Sequence, residues 1–363
     1  MKNVTIQDVA KTAGVSAGTV DRVIHSRGGV SDKSLAAVKK AITFLNYENK
    51  DTEQLFTEVV NENQIFKIGI CYPEVESHFW TDITNGIDAA ETALSPLGLR
   101  IVKRIIPSHN VSSQLEAISK LINEDKVQAL IFTPVSDNLS NTLDQIVPKT
   151  IPYATVIDDT IGTNRLFHIG PNNIPMGKLI AEYINFFSKG ENENVVVISP
   201  KYDVSGAQER ISGFLNKIKL ESLKINVKKI EIIDEIEDKS VYDTVYETTE
   251  KIINENSDLN SIYITNGFGQ CVAKAIKKNN KQDSIHVYCH EYNPGMEKYY
   301  DNDIIKVSIF QKPAQQWYAA INIMFKYLKY QIKPKSRFIK AECTVLTKGS
   351  IPLFCEDYMQ YFK

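Results

Sequence analysis

The chain has 363 residues, with 42 Lys and Arg against 44 Asp and Glu, a formal net charge of −2 and 43% hydrophobic residues. That length supplies two or three compact units with sizeable cores, and so ordinary a composition excludes fibrous, low-complexity and wholly disordered chains. No apolar run reaches the ~18–20 residues needed to cross a bilayer, and no apolar signal segment follows Met1. Cys71, Cys271, Cys289, Cys343 and Cys355 are scattered, odd in number and without metal-ligand spacing. They read as buried, reduced thiols of a cytoplasmic protein with no disulfide framework, metal or cofactor.

The first elements are three short helices. Thr5 can cap a helix that bears Asp8 in its first turn, and Gly14 stands where a left-handed turn would end it. Ser16 opens a second helix through Ile24, and Ser31 a third that closes near Leu45. Val9, Ala10, Ala13, Val15, Val20, Val23, Leu35, Val38, Ile42 and Leu45 recur at helical spacing and predict a small shared core. Ala17, Gly18, Asp21 and Arg22 then fall on the outer face of the second helix. The first 50 residues hold eight Lys and Arg against four Asp and Glu, so positive charge gathers where DNA phosphates would need it. Two helices joined by a tight turn can place one of them in the major groove.

From Glu48 to Gln64 the text is polar and acidic, a linker or a marginal helix. Strands and helices then alternate. Phe66–Pro73, Leu99–Ile106, Val127–Thr133 and Ile151–Ile157 read as strands, with helices over Thr81–Leu94 and Ser113–Asn123. After residue 170 the pattern repeats: helices over Ile174–Phe187, Gln208–Lys219, Val241–Ile253 and Gly269–Lys278, and strands at Asn194–Ser199, Val227–Ile233, Ser261–Thr265 and His286–His290. Near-continuous apolar strands separated by helices predict parallel sheets covered on both faces. Two such halves bind ligands between the carboxyl ends of their strands, so the polar residues just after each strand become the candidates.

The segments Thr5-Ile6-Gln7-Asp8-Val9-Ala10, Ala13-Gly14-Val15-Ser16, Thr19-Val20, Arg22-Val23, Val30-Ser31 and Leu45-Asn46-Tyr47 closely resemble the DNA-binding headpiece of the lactose-repressor (LacI) family. Residues from Phe66 to about Pro352 resemble the sugar-binding module that those repressors share with periplasmic binding proteins. The resemblance implies an all-α helix-turn-helix headpiece (1–47), a linker or hinge (48–65), an α/β effector module (66–352) and a tail (353–363). The module would be two doubly wound parallel-sheet subdomains around a cleft. The first spans about 66–169 plus 311–332, the second about 170–305 plus 335–352.

The implied DNA contacts are Thr5, Ser16, Ala17, Gly18, Thr19, Asp21, Arg22, His25 and Ser31, with Leu55 or Phe56 as a minor-groove wedge. Ala17 and Gly18, at the family's base-reading positions, are too small for bidentate readout, which shifts the task to Thr19, Arg22 and Asp21. Asp21 replaces the usual Ser and would either repel phosphate or accept from a cytosine amine. The linker lacks the family's Pro-Asn step, which leaves a hinge helix and a flexible tether both open.

The implied effector residues are Phe79, Trp80, Asp137, Asp158, Asp159, Gln208, Arg210, Asn266, Glu291 and Gln311. Aromatic rings suit the apolar face of a sugar, and planar carboxylates and amides suit adjacent hydroxyls. Gln208 stands where many relatives carry Arg, and Asp159 adds an acid. That pattern admits a cationic polyol, or a sugar gripped by Arg104, Arg165 or Arg210. The implied partners are double-stranded operator DNA, a small sugar-like effector and a second copy of the chain in a homodimer. No leucine heptad closes the sequence, so no tetramer is expected by that route. An exported sugar carrier is the competing class, disfavoured by the headpiece. No Gly-x-Ser-x-Gly, P-loop or His-Glu-x-x-His motif supports an enzyme.

Overall fold

The computed structural model describes residues 4–25, 27–45, 47, 64–73, 78–107, 110–160, 164–201, 204–233 and 240–355. The expected wedge residues Leu55 and Phe56, and most of the linker, lie outside them.

Three helices open the chain: α1 (Ile6–Ala13), α2 (Ala17–Ile24) and α3 (Asp32–Leu45). Val9, Val20, Val23, Ile24, Val38, Ala41 and Ile42 form their buried core, with Leu35 and Leu45 packed against it. That is the apolar stripe the spacing predicts.

Two six-stranded sheets follow. The first contains β1 (Phe66–Pro73), β2 (Leu99–Ile106), β3 (Ala129–Phe132), β4 (Tyr153–Val156), β5 (Phe167–Gly170) and β11 (Phe338–Lys340), in the order β11-β5-β4-β3-β1-β2. All its pairings are parallel. The second contains β6 (Glu193–Pro200), β7 (Ile225–Ile233), β8 (Ser261–Ile264), β9 (His286–His290), β10 (Ile305–Phe310) and β12 (Thr344–Leu346), in the order β12-β10-β9-β8-β6-β7. Only the β10–β12 pair is antiparallel. The central strands β3, β4, β5 and β8 are buried at every position, as expected for parallel strands covered on both faces.

The covering helices are α4 (His78–Leu94), α5 (Val111–Asn123), α6 (Ser140–Ile146) and α12 (Pro313–Tyr330) for the first sheet. Helices α7 (Asn173–Phe187), α8 (Ser205–Glu221), α9 (Val241–Glu255), α10 (Gly269–Lys278) and α11 (Glu297–Asp301) accompany the second. Helix α12 returns to the first half, where Trp317, Ile321, Met324 and Phe325 join the core built on β1, β3 and α4. The chain therefore crosses between the sheets three times: after β5, after β10 and after β11.

One boundary differs from the sequence reading. Residues 335–352 were expected wholly in the second half, but Phe338–Lys340 pairs with β5 in the first. Its side chains are exposed or half-buried, so it carries no hydrophobic pattern. The cysteines differ too. Cys71, Cys271 and Cys289 are buried, whereas Cys343 is exposed on the third crossover. Burial pushes the Cys71 and Cys271 thiols up to about 12. Among the described residues no helix is long and apolar enough to cross a membrane.

Candidate functional site: a helix face and an intersheet cleft

The headpiece settles its backbone polar groups locally. Thr5 Oγ1 accepts from Asp8 N at 3.3 Å, and Asp8 Oδ2 accepts from Thr5 N at 2.9 Å, a reciprocal capping box. Gly14 ends α1 at φ 66°, a left-handed position that suits glycine. Ser16 Oγ accepts from Thr19 N at 3.1 Å and starts α2. Ser31 Oγ likewise accepts from Ser34 N at 3.3 Å.

With Val20, Val23 and Ile24 turned inward, Ala17, Gly18 and Arg22 are exposed on the opposite face. Arg22 makes no ion pair among the described residues. Asp21 engages other partners: Arg27 Nη1 donates to its Oδ2 at 2.9 Å, and His25 Nε2 lies 3.3 Å from its Oδ1. Asp21 on α2 is thus engaged by Arg27 and His25, and Arg22 has no ion-pair partner among the described residues.

Between the sheets lies a cleft with about 930 Å³ of empty space, including the part open to solvent. Phe79, Trp80, Thr133, Pro134, Ile157 and Asp158 line it from the first half. Trp80 is buried and stacks on Tyr72, with ring centroids 5.9 Å apart, and Phe79 meets it edge-on at 5.2 Å. Asp158 is aimed by an unusual turn. Its N–H donates to Val156 O at 3.0 Å across Ile157, which is held at φ 72°. Such a γ-turn at a β-branched residue is strained, and strain of this kind concentrates at functional positions.

From the second half come Gly206, Ala207, Arg210, Asn266, Glu291 and Asn293. Helix α8 is pressed onto α7 where Gly177 leaves room for the Arg210 carbonyl. That phase turns Gly206 and Arg210 inward. Arg210 donates from Nε to Asn173 Oδ1 at 2.9 Å and from Nη1 to Thr265 O at 2.7 Å. Glu291 ends β9 at φ 62°, a second left-handed non-glycine residue at the cleft. It is 4% exposed, and among the described residues its Oε1 has no hydrogen-bond partner. Gln311, on the second crossover, is 3% exposed and its Oε1 is likewise unpartnered. So is Asn266 Nδ2. Two buried acceptors and one donor at a cavity wall carry a desolvation penalty that a hydroxylated ligand would relieve. Burial raises the Glu291 carboxyl to about 7, against the opposing pull of the Arg210 charge and the Gln311 hydrogen bonds.

The structure therefore gathers Phe79, Trp80, Asp158, Arg210, Asn266, Glu291 and Gln311 around one cavity. Three expected residues do not line it. Gln208 is exposed, because the helix phase that buries Arg210 turns position 208 outward. Asp159 is tied down: Arg165 Nη2 donates to its Oδ2 at 2.6 Å, and Thr155 Oγ1 and Thr160 N donate to its Oδ1 at 2.8 and 2.9 Å. Asp137 lies at the rim, where its Oδ1 accepts from Ser205 N across the cleft at 3.0 Å. Of the three arginines considered, Arg165 is engaged with Asp159 and Arg104 with Asp125 and Glu124, so only Arg210 reaches the cavity. His290 ends β9 and His168 is the second residue of β5, and neither lines the cavity. His290 Nε2 lies 2.9 Å from Tyr263 Oη and His168 Nδ1 3.0 Å from Thr155 Oγ1. Asn293 lines the cavity and was missed. It sits two residues past Glu291, where the strand-end rule extended by one turn would have found it.

Comparison with known proteins matches both parts. Residues 68–332 match the family described as Periplasmic binding protein domain, and residues 5–49 match Bacterial regulatory proteins, lacI family. The Sucrose operon repressor of Lactococcus lactis subsp. lactis is 24% identical over 82% of this chain and 86% of its own length. The HTH-type transcriptional regulator MalR of Streptococcus pneumoniae serotype 4 is 25% identical over 72% of this chain and 76% of its own. Among solved structures, a galactofuranose binding protein superposes with TM-score 0.72 at 18% identity, over 82% of this chain and all of its own. A solute binding protein from Agrobacterium Radiobacter in complex with D-arabinose superposes with TM-score 0.70 at 17% identity, over 79% of this chain and 96% of its own.

Proposed function

The chain belongs to the lacI family of bacterial regulatory proteins, with a periplasmic binding protein domain as its larger part, and from that premise we propose which residues carry out its control of transcription. The α2 face reads operator DNA, with Arg22 as the principal base contact and Thr5, Ser16, Ala17, Gly18, Thr19, Asp21, His25 and Ser31 around it. The cleft binds a small sugar-like effector. Phe79 and Trp80 offer it ring surface, and Asp158, Arg210, Asn266, Glu291 and Gln311 offer it hydrogen bonds. The sucrose, arabinose and galactofuranose in the names of its relatives and structural neighbours support a sugar.

The observation that carries this reading is the set of unpartnered buried polar atoms on Glu291, Gln311 and Asn266, in the same chain as an exposed, well-capped recognition helix. An effector that satisfies those atoms favours one arrangement of the two halves and thereby biases the headpieces. One headpiece offers few contacts, so the working form is a homodimer on paired half-sites. Exposed Ile105 on edge strand β2, with Ile230 and Ile232 on edge strand β7, supports a second copy as partner. The chain acts in the cytoplasm, where its operator is, and does not turn over its effector.

The test is an operator gel shift with and without a panel of sugars, using the native chain, Arg22→Ala and Glu291→Ala. Arg22→Ala is expected to weaken operator binding, and Glu291→Ala to keep operator binding while losing the sugar response. Undiminished binding by Arg22→Ala overturns the headpiece assignment. A full sugar response from Glu291→Ala overturns the cleft assignment.

A further inference from the structure

Helix α8 begins at the cleft, with Val204, Gly206 and Ala207 on the cavity wall. Over 17 residues its peptide dipoles leave partial positive charge at that end, a place where a phosphate or carboxylate of a ligand would ordinarily settle. Among the described residues, no side chain of its own segment caps α8. Two acids from the opposite half take the position instead. Asp137 Oδ1 accepts from Ser205 N at 3.0 Å. Asp158 closes on Gly206 so tightly that a Cβ added there would stand 2.8 Å from its Oδ1. The helix end that faces the cavity is therefore already supplied with negative charge by the protein.

Two acceptors on the remaining walls agree, beside one unpartnered donor, Asn266 Nδ2. Glu291 and Gln311 present unpartnered acceptor oxygens, and both side chains are more than nine-tenths buried. An anionic oxygen brought against them would add a third acceptor where donors are wanted. Arg210 is the one cation lining the cavity among the described residues, and two of its nitrogens already donate to Asn173 and to the Thr265 carbonyl.

Building on the effector cleft proposed above, we infer that the cleft selects against anions. Asp137 and Asp158 occupy the α8 helix end, and the effector is an unphosphorylated polyol whose hydroxyls donate to Glu291 and Gln311. Like-charge juxtaposition in a desolvated site disfavours the wrong partner by more than the loss of a contact does, so the acids act as a specificity filter.

The experiment pairs each free sugar with its phosphate ester: D-ribose with ribose 5-phosphate, D-glucose with glucose 6-phosphate, D-galactose with galactose 6-phosphate, and sucrose with sucrose 6-phosphate. Binding to the full chain is read by thermal shift and calorimetry, with Asp137→Asn and Asp158→Asn alongside. Asn keeps an acceptor of the same shape, so the α8 end stays capped while the charge is lost. In the pair that binds, the free sugar is expected to bind at least about tenfold more tightly than the ester, and each Asn variant to narrow that ratio. An ester that binds the native chain as tightly as its free sugar overturns the filter and leaves the sugar cleft standing. An unchanged ratio in both Asn variants removes the acids as its cause. No shift with either member of any pair removes the sugar reading of the cleft, and the filter with it.

Discussion

The two binding regions of this chain handle polar groups in opposite ways. On the headpiece, Thr5 pairs with Asp8, Ser16 with Thr19 and Ser31 with Ser34, each three residues apart, and Arg22 stands exposed. In the cleft, Glu291 and Gln311 are almost wholly buried with oxygen atoms unmet. Exposed groups each exchange water for a ligand at small net gain, so headpiece substitutions should act singly and depend on salt. Buried groups lose their water in the folded state whether or not a ligand is there, so cleft substitutions should be large and reach into stability.

The sharpest test of that contrast is Arg210→Ala. It strands Asn173 Oδ1 and the Thr265 carbonyl and removes the charge that opposes the rise of Glu291. A loss of about 3 kcal/mol in denaturant-measured stability is expected. Next comes the pH dependence of Glu291. Its carboxyl is held up to about 7 from an ordinary 4.5, so the folded chain binds the proton more tightly than the unfolded one. The contribution is fully present below about pH 4.5 and is lost as pH rises towards 7, roughly 3 kcal/mol in all. Comparing the slope of stability against pH for the native chain and Glu291→Gln checks this: the variant should lack that fall.

The headpiece effects should be smaller. Arg22→Ala should weaken operator affinity by about 1–3 kcal/mol and leave the melting of the sheets unchanged. Its salt dependence, read by fluorescence anisotropy, would separate base contact from phosphate contact. Ser16→Ala should cost about 1 kcal/mol of headpiece stability, visible as earlier loss of its helical signal. A cost for Ser16→Ala equal to that of Arg210→Ala would erase the contrast between the regions.

Much of this organisation was legible before the fold was. Capping residues and apolar spacing are local, so Thr5, Gly14, Ser16 and Ser31 could be assigned from neighbours in sequence. Strand-end position is nearly local, which is why Asp158, Asn266, Glu291 and Gln311 were found together. What was not legible depends on partners far along the chain. The choice of Arg210 over Gln208 follows from the phase of α8, and that phase is set where α8 rests on Gly177 of α7. Asp159 is the exception: Arg165 and Thr155, which withdraw it, lie six and four residues away, but their convergence needs the bend after β4. The role of Asp137 depends on a helix 68 residues away. Strand β11 has three residues and turns only Ile339 towards the core, too few for any periodicity to announce it.

The three crossings between the sheets have a consequence for how such a chain can be divided. The first half is completed by α12 and β11, which are written after the whole of β6 to β10. Neither half is a contiguous stretch of text. A fragment ending at Gly170 would lack Trp317 and Phe325 from its interior and the edge strand beside β5. Recombination can therefore exchange the headpiece as a block, whereas the two lobes must be inherited, expressed and assembled as one interleaved piece.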